Sequence, residues 1–231
     1  MTLAERYGRV LERVREAELR AGRRPGGVRL MAVTKTIEEP AIAEAIAAGA
    51  RLLGENRVQE LARKRDSLDL TGCGLHLIGH LQSNKAAKAV ECADMVQSVD
   101  SIKIAREISK ECVRQNRQMP VLLEVNIGRD PAKFGFLPEE TERALAEIAA
   151  FPGISVRGLM TVPPFLEEEP LIRNFFSQMY RLFLDIRGKK MDNIRMDVLS
   201  MGMSGDFELA IAEGSNLVRV GSAIFGDRNY R

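Results

Sequence analysis

The run Arg29-Leu30-Met31-Ala32-Val33-Thr34-Lys35-Thr36 is apolar until it ends on a lysine. Read as a strand with period two, it puts Met31, Val33 and Lys35 on one face and Leu30, Ala32 and Thr34 on the other. An amine on the side of core residues is stripped of water, which disfavours its ammonium form. The neutral amine is the nucleophile that condenses with a carbonyl to a Schiff base. The plain alternative is a lysine that escapes to solvent where the strand ends. Toward the other end of the chain, Ser204-Gly205 stands just before a helical pattern beginning near Asp206, and Gly221-Ser222 interrupts an apolar strand. Small residues let backbone N–H groups approach an anion, and a helix N-terminus adds partial positive charge. A serine cap and a glycine packed on a neighbouring helix account for the same residues without an anion. Arg219 alternates with Leu217 and Gly221, so it points away from the side of Val218 and Val220. A buried guanidinium needs an acceptor. Asp197 is one candidate, and the ring nitrogen of a bound cofactor, which arginine would leave unprotonated, is another.

His76 and His80 are four residues apart, but no third ligand of suitable type accompanies them, which argues against a metal site. His76 reads as a satisfied core histidine and His80 as a residue of a site rim. Gly128-Arg129-Asp130-Pro131-Ala132-Lys133-Phe134-Gly135-Phe136 is bracketed by glycines and reads as a flap over a site or as an exposed connection. Met160, Met201 and Met203 suit core packing or a ligand contact.

The elements that must position these residues alternate along the chain. Strands are expected over residues 28–36, 51–54, 75–79, 95–99, 121–127, 155–161, 196–200 and 217–225. Helical patterns over 38–48, 57–67, 83–91, 101–115, 138–150, 171–186 and 206–212 separate them. In front, residues 2–23 place Leu3, Tyr7, Val10, Leu11 and Val14 at helical spacing until Gly22 and Pro25-Gly26-Gly27 end the pattern. This alternation predicts a (β/α)8 TIM barrel, one domain over residues 1–231 with residues 1–23 as an extra helix packed on it. An open doubly wound sheet is the runner-up. Pro163-Pro164-Phe165-Leu166-Glu167-Glu168-Glu169-Pro170 reads as the loop after strand six rather than a linker. Barrel sites form at the carboxyl ends of the strands, where Lys35, Asn56, His80, Met160, Met201 and Ser204 all fall. Ser204 and Gly221-Ser222 follow strands seven and eight, the usual phosphate position in barrels.

With 45% hydrophobic and 29% charged residues, the chain has an ordinary globular composition. Its formal charge of +2 and lack of tryptophan argue against nucleic acid as a partner. Cys73, Cys92 and Cys112, without a CxxC pair, read as reduced thiols. Arginines near the start are interleaved with Glu5, Glu12, Glu16 and Glu18, and no apolar run reaches membrane-spanning length. A cytoplasmic protein with no membrane partner is expected.

Several long motifs in one order carry a resemblance. They are Ala32-Val33-Thr34-Lys35-Thr36, Gly54-Glu55-Asn56-Arg57-Val58-Gln59-Glu60, His76-Leu77-Ile78-Gly79-His80-Leu81-Gln82-Ser83-Asn84-Lys85, Glu124-Val125-Asn126-Ile127-Gly128, Gly158-Leu159-Met160-Thr161, Leu199-Ser200-Met201-Gly202-Met203-Ser204-Gly205-Asp206 and Arg219-Val220-Gly221-Ser222-Ala223-Ile224-Phe225-Gly226. Nearly end to end, the chain resembles the pyridoxal phosphate homeostasis protein family, single-domain relatives of the alanine racemase barrel. The resemblance implies that Lys35 carries pyridoxal phosphate covalently, that Ser204 and Gly221-Ser222 hold its phosphate, that Arg219 faces the pyridine nitrogen, and that Asn56 lies near the ring. The full expected cofactor-binding set is Lys35, Asn56, His80, Met160, Met201, Ser204, Gly205, Arg219, Gly221 and Ser222. Leu75 and Leu77 stand where the family usually has Trp and Phe, and no motif matches the racemase's second acid/base tyrosine.

The resemblance therefore implies a protein of intracellular vitamin B6 homeostasis that holds the cofactor as a Schiff base, with little or no catalysis. Delivery to apo-enzymes is an added expectation, and so is a monomer or weak dimer. One alternative is a pyridoxal phosphate-dependent racemase or decarboxylase, which needs a second proton-transfer group opposite Lys35. Another is a cofactor-free Schiff-base aldolase for a phosphorylated sugar.

Overall fold

The computed structural model describes residues 1–164 and 168–226. Its strands are β1 (Arg29–Val33), β2 (Leu52–Glu55), β3 (Gly74–Leu77), β4 (Met95–Val99), β5 (Met119–Glu124), β6 (Ile154–Met160), β7 (Ile194–Ser200) and β8 (Leu217–Val220). Most are covered on both faces, which is why they read as near-continuous apolar runs. Each pairs in parallel with its sequence neighbour and β8 returns to β1, closing the barrel that the alternation predicts. Parallel neighbours need a crossover, supplied by α2 (Glu39–Ala47), α3 (Val58–Ser67), α4 (Ala86–Cys92), α5 (Ile102–Arg114), α6 (Pro138–Ala149), α7 (Glu169–Gly188) and α8 (Phe207–Ala212).

Period two sorts the strand residues into two apolar compartments. Met31, Val33, Leu52, Met95, Leu122, Met160, Val198 and Leu217 fill the barrel interior. Leu30, Ala32, Leu53, Val218 and Val220 face outward, in the layer that includes Ile42, Leu61, Ile108 and Phe176 of the helices. A Cβ at Gly54 would lie 2.5 Å from Met31 Sδ, so any side chain there would have to push Met31 aside within the interior.

Ahead of the barrel, α1 (Leu3–Arg20) starts at a reciprocal cap in which Thr2 N–H donates to Glu5 at 2.8 Å and Glu5 N–H to the Thr2 hydroxyl at 3.2 Å. It buries Leu3, Tyr7, Val10 and Val14 against α2, α8 and the short α9 (Ser222–Phe225). Arg6 Nε donates to the Ile224 carbonyl at 2.6 Å, tying α1 to α9.

Several expected boundaries move, among them the ends of strands three and five, which stop at Leu77 and Glu124, and two of the shifts bear on the site. Strand one stops at Val33, so Lys35 stands in the turn beyond it, and strand eight stops at Val220 because Gly221 turns to ψ −75° and caps α9. Part of the expected loop after strand six, residues 165–167, lies outside the described residues. Among the described residues no helix is long and apolar enough to cross a membrane, and no group of three His, Cys, Asp or Glu side chains is placed to hold a metal.

Candidate functional site

At the carboxyl ends of the strands a cavity of about 350 Å³ is lined by Val33, Lys35, Asn56, Ile78, Val162, Met203, Ser204, Gly205, Arg219, Gly221 and Ser222. Lys35 is half-buried, in line with the inward-facing Met31 and Val33. Both of its neighbours are clamped. The Thr34 carbonyl accepts from Lys64 Nζ at 2.7 Å, and the Thr34 hydroxyl donates to Glu55. On the other side, Thr36 takes a left-handed turn at φ +62° and donates its N–H to Glu60 at 2.9 Å. Lys64 joins these acceptors: its ammonium, fully buried, bonds to Glu55 at 2.6 Å and lies 3.6 Å from Glu60. Burial pushes the Glu55 carboxyl up, and the bonds from Lys64 and Thr34 pull it back. Sequence reasoning passed over Glu55, Glu60 and Lys64. The available signal was the Glu60–Lys64 spacing of i,i+4, which usually marks a solvated pair.

Arg219 enters the cavity from the barrel interior with 4% exposure. Its Nη1 donates to Ser200 Oγ at 2.6 Å and its Nη2 to the Thr161 carbonyl at 2.8 Å. The chain continues inward. Ser200 donates to Gln97 Oε1 at 2.7 Å, and the Gln97 amide nitrogen meets His76 Nδ1 at 2.9 Å. An amide nitrogen only donates, so His76 accepts at Nδ1 and carries its proton on Nε2. Burial, with Arg29 nearby, holds His76 down at about 3, so it is neutral, the satisfied core histidine expected. Arg219 is lowered to about 10, chiefly by burial, and stays charged at neutral pH. Asp197 is not its partner: β7 turns Asp197 outward, where it pairs with Arg157, and turns Val198 and Ser200 inward.

The loops after β7 and β8 are joined by Ser204, whose hydroxyl accepts the Gly221 N–H at 3.1 Å and lies 3.5 Å from the Ala223 nitrogen. With its lone pairs turned to those amides, the hydroxyl hydrogen is left to donate elsewhere. Among the described residues, no backbone acceptor takes the N–H of Gly205 or Ser222. This edge of the cavity is a cluster of short donors, suited to an oxyanion.

Three expected site residues stand apart from this cavity. His80 bonds to Asp100 at 2.6 Å and stacks on Phe134 with ring centroids 3.8 Å apart, lining a neighbouring cavity instead. That stack helps pin the glycine-bracketed segment, as does Lys133 donating to the Pro163 carbonyl at 2.7 Å. Met160 is buried in the barrel interior. Met201 packs outward into the helix-facing layer, and Met203, two residues on in a loop where strand periodicity has ended, lines the cavity. Nearby, at the end of β5, burial and Asp100 push the Glu124 carboxyl up to about 7.

Residues 8–229 match the family model of the alanine racemase N-terminal domain. The pyridoxal phosphate homeostasis protein of Aquifex aeolicus is 37% identical over 230 residues, covering 100% of both chains. That of Pseudomonas aeruginosa is 39% identical over 229 residues, 99% of this chain and 97% of the relative. PipY of Synechococcus elongatus PCC7942, solved with PLP bound, is similar at a TM-score of 0.83 and 36% identity, over 97% of this chain and 100% of that one. The chain belongs to the alanine racemase N-terminal domain family and, within it, to the pyridoxal phosphate homeostasis proteins.

Proposed function

We propose that the cavity binds pyridoxal phosphate, held as a Schiff base on Lys35, and that the protein serves cytoplasmic vitamin B6 homeostasis with little or no catalysis. The observation that carries this reading is one cavity with an amine, an inward guanidinium and a donor-rich edge, separated by the apolar side chains of Val33, Ile78 and Val162. The donor set fits the group. Lys35 would supply the amine for the aldehyde, Ser204, Gly205 and Ser222 would hold the phosphate against the glycine turn at Gly221, and Arg219 and Asn56 would meet the ring. His80, Met160 and Met201 act from outside this contact set. The bound cofactor would supply an aldehyde reactive toward amines and a pyridine ring able to accept electron density.

Arg219 keeps its proton at neutral pH, so beside a pyridine nitrogen it would favour the unprotonated ring and weaken it as an electron sink. Apolar walls suit a planar ring better than a polyol, which speaks against the aldolase. Glu124 has the raised carboxyl of an acid/base group but does not line the cavity, which speaks against the racemase. Storage of the cofactor and its transfer to apo-enzymes, by a monomer or weak dimer, complete the reading. The test has two arms. Protein mixed with pyridoxal phosphate is expected to turn yellow, and Lys35→Ala to lose that band while keeping weak phosphate-anchored binding. Exchange of amino-acid α-hydrogens is expected at no more than the rate of free cofactor. Exchange well above it would replace the carrier with an enzyme.

A further inference from the structure

We propose that a second cavity, beside that of Lys35, binds a phosphate monoester. It measures about 540 Å³, and Asn56 lines both cavities. Two cations, Arg57 and Lys85, line it, and among the described residues neither forms an ion pair. The carboxylate on its wall, Glu60, is already engaged by the Thr36 N–H at 2.9 Å and by Lys64 at 3.6 Å. His80 is likewise taken, by Asp100. The cavity therefore keeps an excess of positive charge. Gln59, Gln82 and Asn56 add amide donors, and the first turn of the ten-residue α3 has no side-chain cap on Arg57, so its leading N–H groups are unclaimed by the cap.

Cations without counter-ions, together with neutral donors, recognise an oxyanion, and phosphate accepts the most such bonds. The volume exceeds what a bare ion needs and falls in the range of small-molecule sites, which favours an ester over free phosphate. Next to Lys35 the site would hold a phosphorylated ligand at the threshold of the first cavity. That consequence rests on the cofactor reading above; the anion site itself does not.

The full chain, labelled with ¹⁵N, is titrated first with inorganic phosphate and then with glycerol 3-phosphate, reading backbone amide shifts. Both ligands are expected to shift Val58, Gln59 and Glu60 saturably, in a manner weakened by salt. The variant Arg57→Gln/Lys85→Gln should bind at least tenfold more weakly there while keeping the shifts at Gly205 and Ser222. Absence of saturable shifts at Val58–Glu60, shifts with inorganic phosphate alone, or unchanged binding by the double variant would each overturn the proposal. Failure of the cofactor reading looks different: the Gly205 and Ser222 amides would not respond.

Discussion

Removing the Lys64 ammonium tests how far the chain's fold has been organised around residue 35. Lys64 and Glu55 are both fully buried, 2.6 Å apart, and the ammonium also satisfies the Thr34 carbonyl at 2.7 Å. Lys64→Met leaves a buried carboxylate with one hydroxyl donor and a carbonyl with no ammonium. Breaking a buried pair on one side costs about 3–5 kcal/mol, a large share of the roughly 5–15 kcal/mol that holds a domain folded. Without Lys64 the Glu55 carboxyl, already raised by burial, moves further up. A folded-state pKa above the unfolded one adds stability at low pH that is lost as pH rises through it, so the deficit should be larger at pH 8 than at pH 5. Lys64→Met/Glu55→Gln removes the charge while keeping an acceptor for Thr34, and should recover at least half of the loss. Urea unfolding at the two pH values measures all of this, and cofactor titration should show weaker binding by the single variant as the turn around Lys35 loosens. A single variant within about 1 kcal/mol of the parent, or a double variant no more stable than the single, would refute the clamp.

Gln97→Leu should cost about 1–3 kcal/mol each for the Ser200 O–H left without an acceptor and for His76 Nδ1 left without a donor, and should shift the absorbance of bound cofactor because the hydroxyl that Arg219 donates to is no longer braced. An unchanged spectrum would confine the chain from His76 to Arg219 to a structural role. Two pH slopes should oppose each other. His76, at about 3 in the fold, loses stability as pH falls below its ordinary 6.5, by about 1.4 kcal/mol per unit. Glu124, at about 7 in the fold against an ordinary 4.5, gains stability as pH falls through the same range. Glu124→Gln should therefore steepen acid destabilisation between pH 6.5 and 4.5, and an unaltered stability curve would remove Glu124 from this balance.

The alternation is legible because most strands are buried on both faces and the helices on one, but closure into a barrel rather than an open doubly wound sheet shows only in the pairing of β8 with β1. Period two also assigned faces correctly within strands: Met31 and Val33 face inward, Val218 and Val220 outward, and Arg219 inward. It failed where strands end. Met201 and Met203, and the residues after Val220, lie where the backbone leaves the pleat, and no spacing rule carries across that change. Long-range pairing was the other blind spot. That Ser200 rather than Asp197 meets Arg219 shows only once the facing strands are known, and Lys64 looks like any solvated helix lysine until Glu55 is folded against it. The sequence places His80 at the rim of a site, and its partners, Asp100 and Phe134, draw it to the neighbouring cavity.

One measurement addresses the amine at residue 35 directly. The purified protein is mixed with pyridoxal phosphate, reduced with borohydride, digested, and mapped by mass spectrometry. One dominant pyridoxyl phosphate adduct is expected, on the peptide containing Lys35, and it should disappear in Lys35→Ala. An adduct spread over surface lysines, or concentrated on a lysine outside the cavity, would contradict a Schiff base on Lys35.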